Sequence, residues 1–440
     1  MMKIEITNQG KWHQSLTLKL GLLAVIGLLL LIPLQMIKSV IKERQVNAEE
    51  VRQKISQQWA TKQCLSGPVL NVPVRTIPAD KDEKSVIKIW HVMPEVLEIN
   101  GEIVPEIRYR GIYQSVVYES DLQLTGEFIL PGTASMKNYE ILWSEAYYSV
   151  GVSDNRGLKG RIILKTDSAE LEAEPGIRDQ DIFRSGISFL SPVSDSSVSI
   201  RFLMSIVLSG SEGLYLTPLG KLSKAHLQSE WDAPSFNGSF LPTERSVDEK
   251  GFAAEWEVTH LNRNFPQDWI GDSYNPEESS FGVDLFVPVD HYQKSWRSAR
   301  YGILFIALTF LVLIFLEITW KEVIHIFHYF LVSLGLVLFF SLLNSLSEQT
   351  GFNLAYLISS VAIILLISFF TGTLFKNKRP AFIVSGLLVI LYSFIFILLS
   401  LNDYAYLAGN IGLFIVLAII MRLAGKMNLF KQERFAESSE

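Results

Sequence analysis

The stretch YGILFIALTFLVLIFLEI, Tyr301–Ile318, opens the last third of the chain, and four segments like it follow before Ala424. They are Ile326–Leu343, Leu354–Leu374, Ala381–Leu399 and Tyr404–Met421. A helix needs about 20 mainly apolar residues to cross about 30 Å of hydrocarbon, and each segment is close to that length. Helices in a soluble core keep a polar stripe toward water. Here the flanks are polar and the segments are apolar all round, which reads as five membrane spans.

Toward the N-terminus, Lys3, Lys11 and Lys19 stand against a single Glu5, ahead of Leu20–Ile37, which is apolar apart from Pro33 and Gln35. A basic flank before an apolar run is also the mark of a cleaved signal peptide. The nearest small-residue site, Val46-Asn47-Ala48, lies well past the run, beyond Lys38, Lys42 and Arg44. The reading is therefore an uncleaved anchor. The expected division is an inside N-terminus at 1–19, the anchor at 20–37, an exported domain at 38–300, a five-helix membrane domain at 301–424 and an inside tail at 425–440.

Loop charges set the orientation. Lys376, Lys378 and Arg379 precede the fifth span, and Arg422, Lys426, Lys431 and Arg434 follow the sixth. The alternate connections, Asn344–Gly351 and Ser400–Asp403, hold Glu348 and Asp403 and no Lys or Arg. Short basic loops stay in the cytoplasm, so both chain ends are expected inside. Lys38, Lys42, Arg44, Lys294, Arg297 and Arg300 argue the other way, but large domains translocate largely regardless of charge.

Residues 45–293 carry 22 Lys and Arg against 36 Asp and Glu, a net −14, while the remainder carries +8 of the overall −6. An acidic body is repelled by anionic headgroups, and the basic span flanks are attracted to them. This split argues against nucleic acid as a partner, because no basic surface of the needed density lies outside the membrane flanks. Within this region Val51, Ile55 and Trp59 recur every four residues, a short amphipathic helix that continues the anchor, with Gly67-Pro68 as its expected stop. The period then becomes two. Phe252, Ala254, Trp256 and Val258 alternate with Ala253, Glu255, Glu257 and Thr259, and strand-like runs cover Val86–Trp90, Glu102–Arg110, Val116–Leu124, Leu158–Thr166 and Val198–Leu208. Short strands between Gly, Pro, Asn and Asp turns indicate antiparallel sheets packed as a sandwich. Pro105 inside one run predicts an edge strand. Cys64 is the only cysteine, so the chain has no internal disulfide, and the lone thiol reads as inert.

The sequence holds no His-Glu-x-x-His, Cys-x-x-Cys pair, Walker loop or Gly-x-Ser-x-Gly elbow. No catalytic residue, cofactor or metal ligand set is expected; His325 and His328, three apart, read as interfacial. Charge inside a span is costly and therefore informative. Glu317 ends the second span, with Lys321 four residues on as its expected partner. Ser345-Leu-Ser-Glu348-Gln-Thr-Gly351-Phe-Asn353 gathers a carboxylate and amides at the outer mouth of the third and fourth spans, near Asn344. Gly351 would end one helix and Asn353 help to start the next. A functional Glu348 would receive a ligand or dock the exported domain through Lys294, Arg297 and Arg300.

Arg300-Tyr301-Gly-Ile-Leu-Phe-Ile-Ala-Leu-Thr309-Phe, Phe315-Leu-Glu317 and Ser345–Tyr356 closely resemble the CreD family of Gram-negative inner-membrane proteins. Gly67-Pro68-Val69-Leu70, Ser153-Asp154-Asn155-Arg156-Gly157, Pro234-Ser235-Phe236-Asn-Gly238 and Pro288-Val-Asp290 look like its signatures in the exported region. The resemblance spans nearly the whole chain. It implies a non-enzymatic role in cell-envelope integrity and a periplasmic site for the exported domain, in a family whose expression is tied to a sensor of cell-wall stress. It brings no established catalytic residues.

The combined reading is an integral membrane α-helical protein with six spans, one plus five, and a large β-rich, antiparallel, sandwich-like exported domain. Binding or scaffolding is the expected activity, with membrane lipids and envelope proteins as partners. The alternative is a transporter or channel for a small envelope metabolite, with Glu348 and Asn353 lining its mouth. Glu348, Gly351, Asn353, Tyr356 and Glu317 are the candidate functional residues.

Overall fold

Alternation along Gly251–Thr259 shows how the β region is built. Phe252, Ala254, Trp256 and Val258 are buried while Glu255 and Glu257 are exposed, as a period of two on a one-sided sheet requires. The computed structural model describes residues 16–78, 84–132, 136–191, 199–285, 290–320, 322–375, 378–401 and 405–426. Lys3, Glu5, Lys11, Pro288, Val289, Lys321, Lys376, Asp403, Lys431 and Arg434 lie outside them. The chain divides into two compact units, Ala48–Pro288 and Met1–Asn47 with Val289–Glu440.

Among the described residues, the first unit holds two sheets. One has ten strands arranged around Gln63–Thr76, which is buried along nearly its whole length. The other has nine, with Val96–Arg110 and Tyr113–Ile129 paired from end to end across the two-residue turn Gly111-Ile112. Gly111 takes φ +65 there, the left-handed conformation that such tight hairpins use. The sheets share one apolar core. Phe128 of the nine-stranded sheet stacks 5.6 Å from Tyr148 of the ten-stranded one, and Trp256 lies 5.3 Å from Phe281. Burial pushes the Cys64 thiol above its usual range.

The sheets are mixed rather than purely antiparallel. Gln63–Thr76 runs parallel to Gly213–Leu216, and Val96–Arg110 parallel to Leu222–Ser229. Parallel neighbours need a crossover, and the chain makes one here. Ser199–Ser211 belongs to the nine-stranded sheet, Gly213–Leu216 to the ten-stranded sheet, and Leu222–Ser229 to the first again. Glu212, at the corner, adopts φ +67, uncommon for a residue with a side chain. Two expectations from prolines need correction. Val96–Arg110 is an interior strand, and Pro105 is tolerated because it lies past Ile103, the last residue that Leu222–Ser229 pairs. Gly67-Pro68 does not stop the preceding helix, which ends at Trp59; it sits inside Gln63–Thr76, where the pairing with Tyr147–Val152 shifts register between Ser66 and Val69.

The helices are α1 (Leu16–Leu29), α2 (Leu31–Trp59), α3 (Asp290–Arg300), α4 (Gly302–Trp320), α5 (Ile326–Thr350), α6 (Phe352–Leu374), α7 (Arg379–Ser400) and α8 (Ala405–Lys426). The anchor is interrupted at Leu30, one turn before Pro33, whose nitrogen has no hydrogen to continue the ladder. Among the described residues, five helical stretches are long and apolar enough to cross a membrane, and α8 adds a 22-residue helix where the sixth span was expected. In α6 the buried face is Phe352, Ala355, Tyr356, Ser359, Ile363 and Ile367, a helical spacing. Its opposite face carries Leu354, Leu357, Val361, Leu365 and Phe369, all exposed. A helix apolar on its outer face needs hydrocarbon as solvent, and this pattern makes the unit a membrane domain.

Because Ala48–Pro288 has its own core, the isolated unit should give a β-dominated far-ultraviolet circular dichroism spectrum and one cooperative melt. Phe128→Ala should cost it about 3–5 kcal/mol, lowering Tm by roughly 10 °C for a unit of this size. A helical spectrum, or an unchanged Tm, would contradict the shared core.

Candidate functional site

Glu317 is carried on the last turns of α4, inside the apolar unit. Its carboxylate forms an ion pair with Lys19 of α1, and both side chains are largely buried, 17% and 13% exposed. The Lys19 ammonium also donates to the Ile324 carbonyl at 2.7 Å and lies 5.2 Å from the Tyr329 ring. The Tyr329 hydroxyl of α5 donates to the other Glu317 oxygen at 2.8 Å. Three helices are thus tied at one point, with each charged group met by several partners, as a low-dielectric setting demands. The expected partner Lys321 lies outside the described residues; the Lys19–Glu317 pair joins residues 298 apart.

Glu348 occupies the final turn of α5. The Tyr292 hydroxyl of α3 donates to its Oε1 at 3.4 Å, and the Arg44 guanidinium of α2 stands 4.0 Å from the same oxygen. The basic residues of the outer cluster make contacts of their own. Arg297 donates to the Leu398 and Leu401 carbonyls at the end of α7, where helix carbonyls lack partners. Arg300 stacks on Trp296, and the Lys294 ammonium lies 5.9 Å from the Phe352 ring centroid.

Gly351 joins α5 to α6 with no spacer. Its N–H donates to the Ser347 carbonyl, its own carbonyl accepts from Ala355, and its φ of +78 is one that side-chain-bearing residues rarely adopt. Asn353 does not start α6 as expected. The N-cap is Gly351, without a side-chain cap, and Asn353 is exposed in the first turn. Tyr356 is buried against Phe339, Phe352 and Phe396, and its hydroxyl donates to the Tyr392 carbonyl of α7 at 2.9 Å. Tyr329 and Glu348 are separated by about 28 Å along α5 at 1.5 Å per residue. The candidate residues therefore form two clusters at opposite ends of one helix rather than a single site.

His325 caps α5 by accepting from the Phe327 N–H at 3.2 Å, and its ring meets that of His328 nearly perpendicular, 6.3 Å away. In the other unit, Asp154 accepts from Arg156 and from the Thr61 N–H, while Arg156 donates to the Gln57 carbonyl. The Arg156 guanidinium holds the Asp154 carboxyl down at about 2. This clasp ties the turn at Asp154–Arg156 to the end of α2 and to Thr61, so the Asp-Asn-Arg-Gly run works as structure.

The profile of the family described as Inner membrane protein CreD matches residues 15–430. The inner membrane protein CreD of Escherichia coli strain K12 is 31% identical over 404 residues, covering 90% of this chain and 89% of that protein. The chain belongs to the CreD family. It is a multi-pass inner-membrane protein, like the family whose description it matches. Sequence reasoning found the two carboxylates of this CreD-family chain but missed Lys19, Tyr329, Tyr292 and Arg44. One signal for Lys19 was available: a single cation abutting an apolar run must find a counter-charge or a headgroup.

If the cluster around Glu317 holds the helices together, Lys19→Met should cost about 3 kcal/mol by leaving a buried carboxylate unpaired. Combining Lys19→Met with Glu317→Gln should recover most of that loss, since the new amide oxygen still accepts from Tyr329. Melting of the detergent-solubilised protein measures both, and a double variant no more stable than the single would refute the pairing.

Proposed function

We propose that this chain supports envelope integrity as a non-enzymatic scaffold, its helical unit anchoring a periplasmic β unit that binds envelope components. One observation carries the reading: the two carboxylates of the helical unit and the Tyr356 hydroxyl are each engaged by protein groups. Glu317 is held by Lys19 and Tyr329, Glu348 by Tyr292 and Arg44, and Tyr356 by the α7 backbone. A transport path needs polar groups at mid-depth that are available to a ligand. The orientation with both chain ends in the cytoplasm rests on loop charge, with Lys378 and Arg379 on one side and Glu348 on the other.

The transporter reading has one observation in its favour. The buried Thr309 and Ser359 hydroxyls, the Tyr392 hydroxyl and Asn344 Oδ1 have no hydrogen-bond partner among the described residues. Polar atoms in hydrocarbon without protein partners invite water or a ligand.

The two readings separate when the β unit is carried by a different anchor. Residues 48–288 fused to an unrelated single-span anchor should restore a substantial share of envelope-stress survival to a deletion strain. A reporter active only in the cytoplasm should be active after Lys378 and silent at Asn237 of the full chain. No rescue by the correctly exported fusion would favour transport, and reporter activity at Asn237 would overturn the orientation.

A further inference from the structure

The β unit contains a polar constellation of its own. His91, on Ile87–Val92, sits directly across the ladder from Asn71 of Gln63–Thr76 and is fully buried. Its Nδ1 lies 2.7 Å from Asn71 Oδ1. The orientation of that amide is fixed from behind, because Asn71 Nδ2 donates to the Val69 carbonyl at 3.3 Å and to Ser149 Oγ at 2.7 Å. A carbonyl can only accept, so the nitrogen must face it and the oxygen must face His91. His91 Nδ1 is therefore the protonated nitrogen, and the lone pair of a neutral ring is on Nε2.

That Nε2 is buried without a hydrogen-bond partner, although Asp181 Oδ2 is only 3.4 Å away. Two acceptors facing each other at this distance repel unless a positive charge sits between them. Asp179 completes the group, and one ligand atom from each of the three residues lies within 4.8 Å of the others. The Asp179 carboxylate is itself positioned, accepting from the Tyr147 hydroxyl through Oδ2 and from the Asp181 N–H at 3.1 Å through Oδ1. The adjacent Arg178 is engaged with Glu174 at 3.4 Å.

We propose that His91 Nε2 and the Asp179 and Asp181 carboxylates form a binding site for a divalent first-row transition ion of the zinc type. Ligands about 2.0–2.2 Å from zinc lie about 3.3 Å apart, a spacing reached from the present one by small side-chain rotations. An imidazole with two carboxylates suits zinc better than the all-oxygen shell of magnesium or calcium. The surroundings match a metal site's support: a histidine whose other nitrogen donates to an amide oxygen, and a carboxylate oriented by a hydroxyl. Three protein ligands leave a fourth position open toward solvent on the side of the part-exposed Asp181. No spacing motif announces the site, because His91 and Asp181 are 90 residues apart and meet only through the sheet.

The test uses the full-length protein in detergent, purified on a tag free of histidine, stripped with EDTA and titrated with ZnCl2 by calorimetry. One Zn2+ per chain is expected, with excess Mg2+ failing to compete. Asp181→Asn, which keeps shape at a part-exposed position, should weaken binding at least tenfold, and Asn71→Leu should weaken it about tenfold by freeing the ring. Melting of each variant without metal, matched to the parent, separates lost binding from lost folding. Absence of saturable binding would leave only an imidazolium–carboxylate pair and overturn the proposal. Equal affinity in the parent and in a folded Asp181→Asn variant would do the same.

Discussion

Hydrocarbon supplies no hydrogen-bond partner, so every charge carried into it must bring its own. That constraint organises the helical unit. Lys19 and Glu317 are each unfavourable alone on α1 and α4; together, with the Ile324 carbonyl and the Tyr329 hydroxyl, they become a tie between three helices. The same logic places Arg297 on the orphan carbonyls that end α7, and the Tyr356 hydroxyl on the α7 backbone. Apolar packing alone discriminates poorly between helix arrangements in lipid, because lipid tails are as apolar as leucine. Paired polar groups supply the missing specificity.

Water imposes a different rule on the β unit. There the driving force is burial, and two mixed sheets close on one core through Phe128, Tyr148, Trp256 and Phe281. The chain passes between sheets at Glu212, a sharp corner that lets adjacent strands belong to different layers. Polar groups left inside, such as Asn71, Ser149 and His91, lie where strands of the ten-stranded sheet meet the Asp179–Asp181 segment, and their bonds fix one another's orientation.

Local periodicity carried much of this architecture. The spans follow from apolar runs and the strand Gly251–Thr259 from its alternation, because both patterns are set by neighbours in sequence. Partners far apart in sequence were not legible. Gln63 beside Leu214, Lys19 beside Glu317 and His91 beside Asp181 are products of the fold, and no spacing rule encodes them. Local rules also misled where context overrode them. Pro105 is compatible with an interior strand once its second neighbour has ended, and Asn353 is not needed as a cap where Gly351 turns the chain. Glu348 and Glu317 were visible as carboxylates in or beside spans. Their placement at opposite ends of the spans was legible too; their partners Lys19, Tyr329, Tyr292 and Arg44 were not.

In this view the polar groups of the helical unit hold helices in place rather than handle a ligand. Envelope-stress survival tests that role most directly, measured in a deletion strain complemented with Lys19→Met/Glu317→Gln and compared at equal membrane abundance with the parent. Survival equal to the parent is predicted, since the pair is replaced without a charge left behind. Full abundance with survival lost would show that the Glu317 carboxylate itself acts on something, and would contradict the claim.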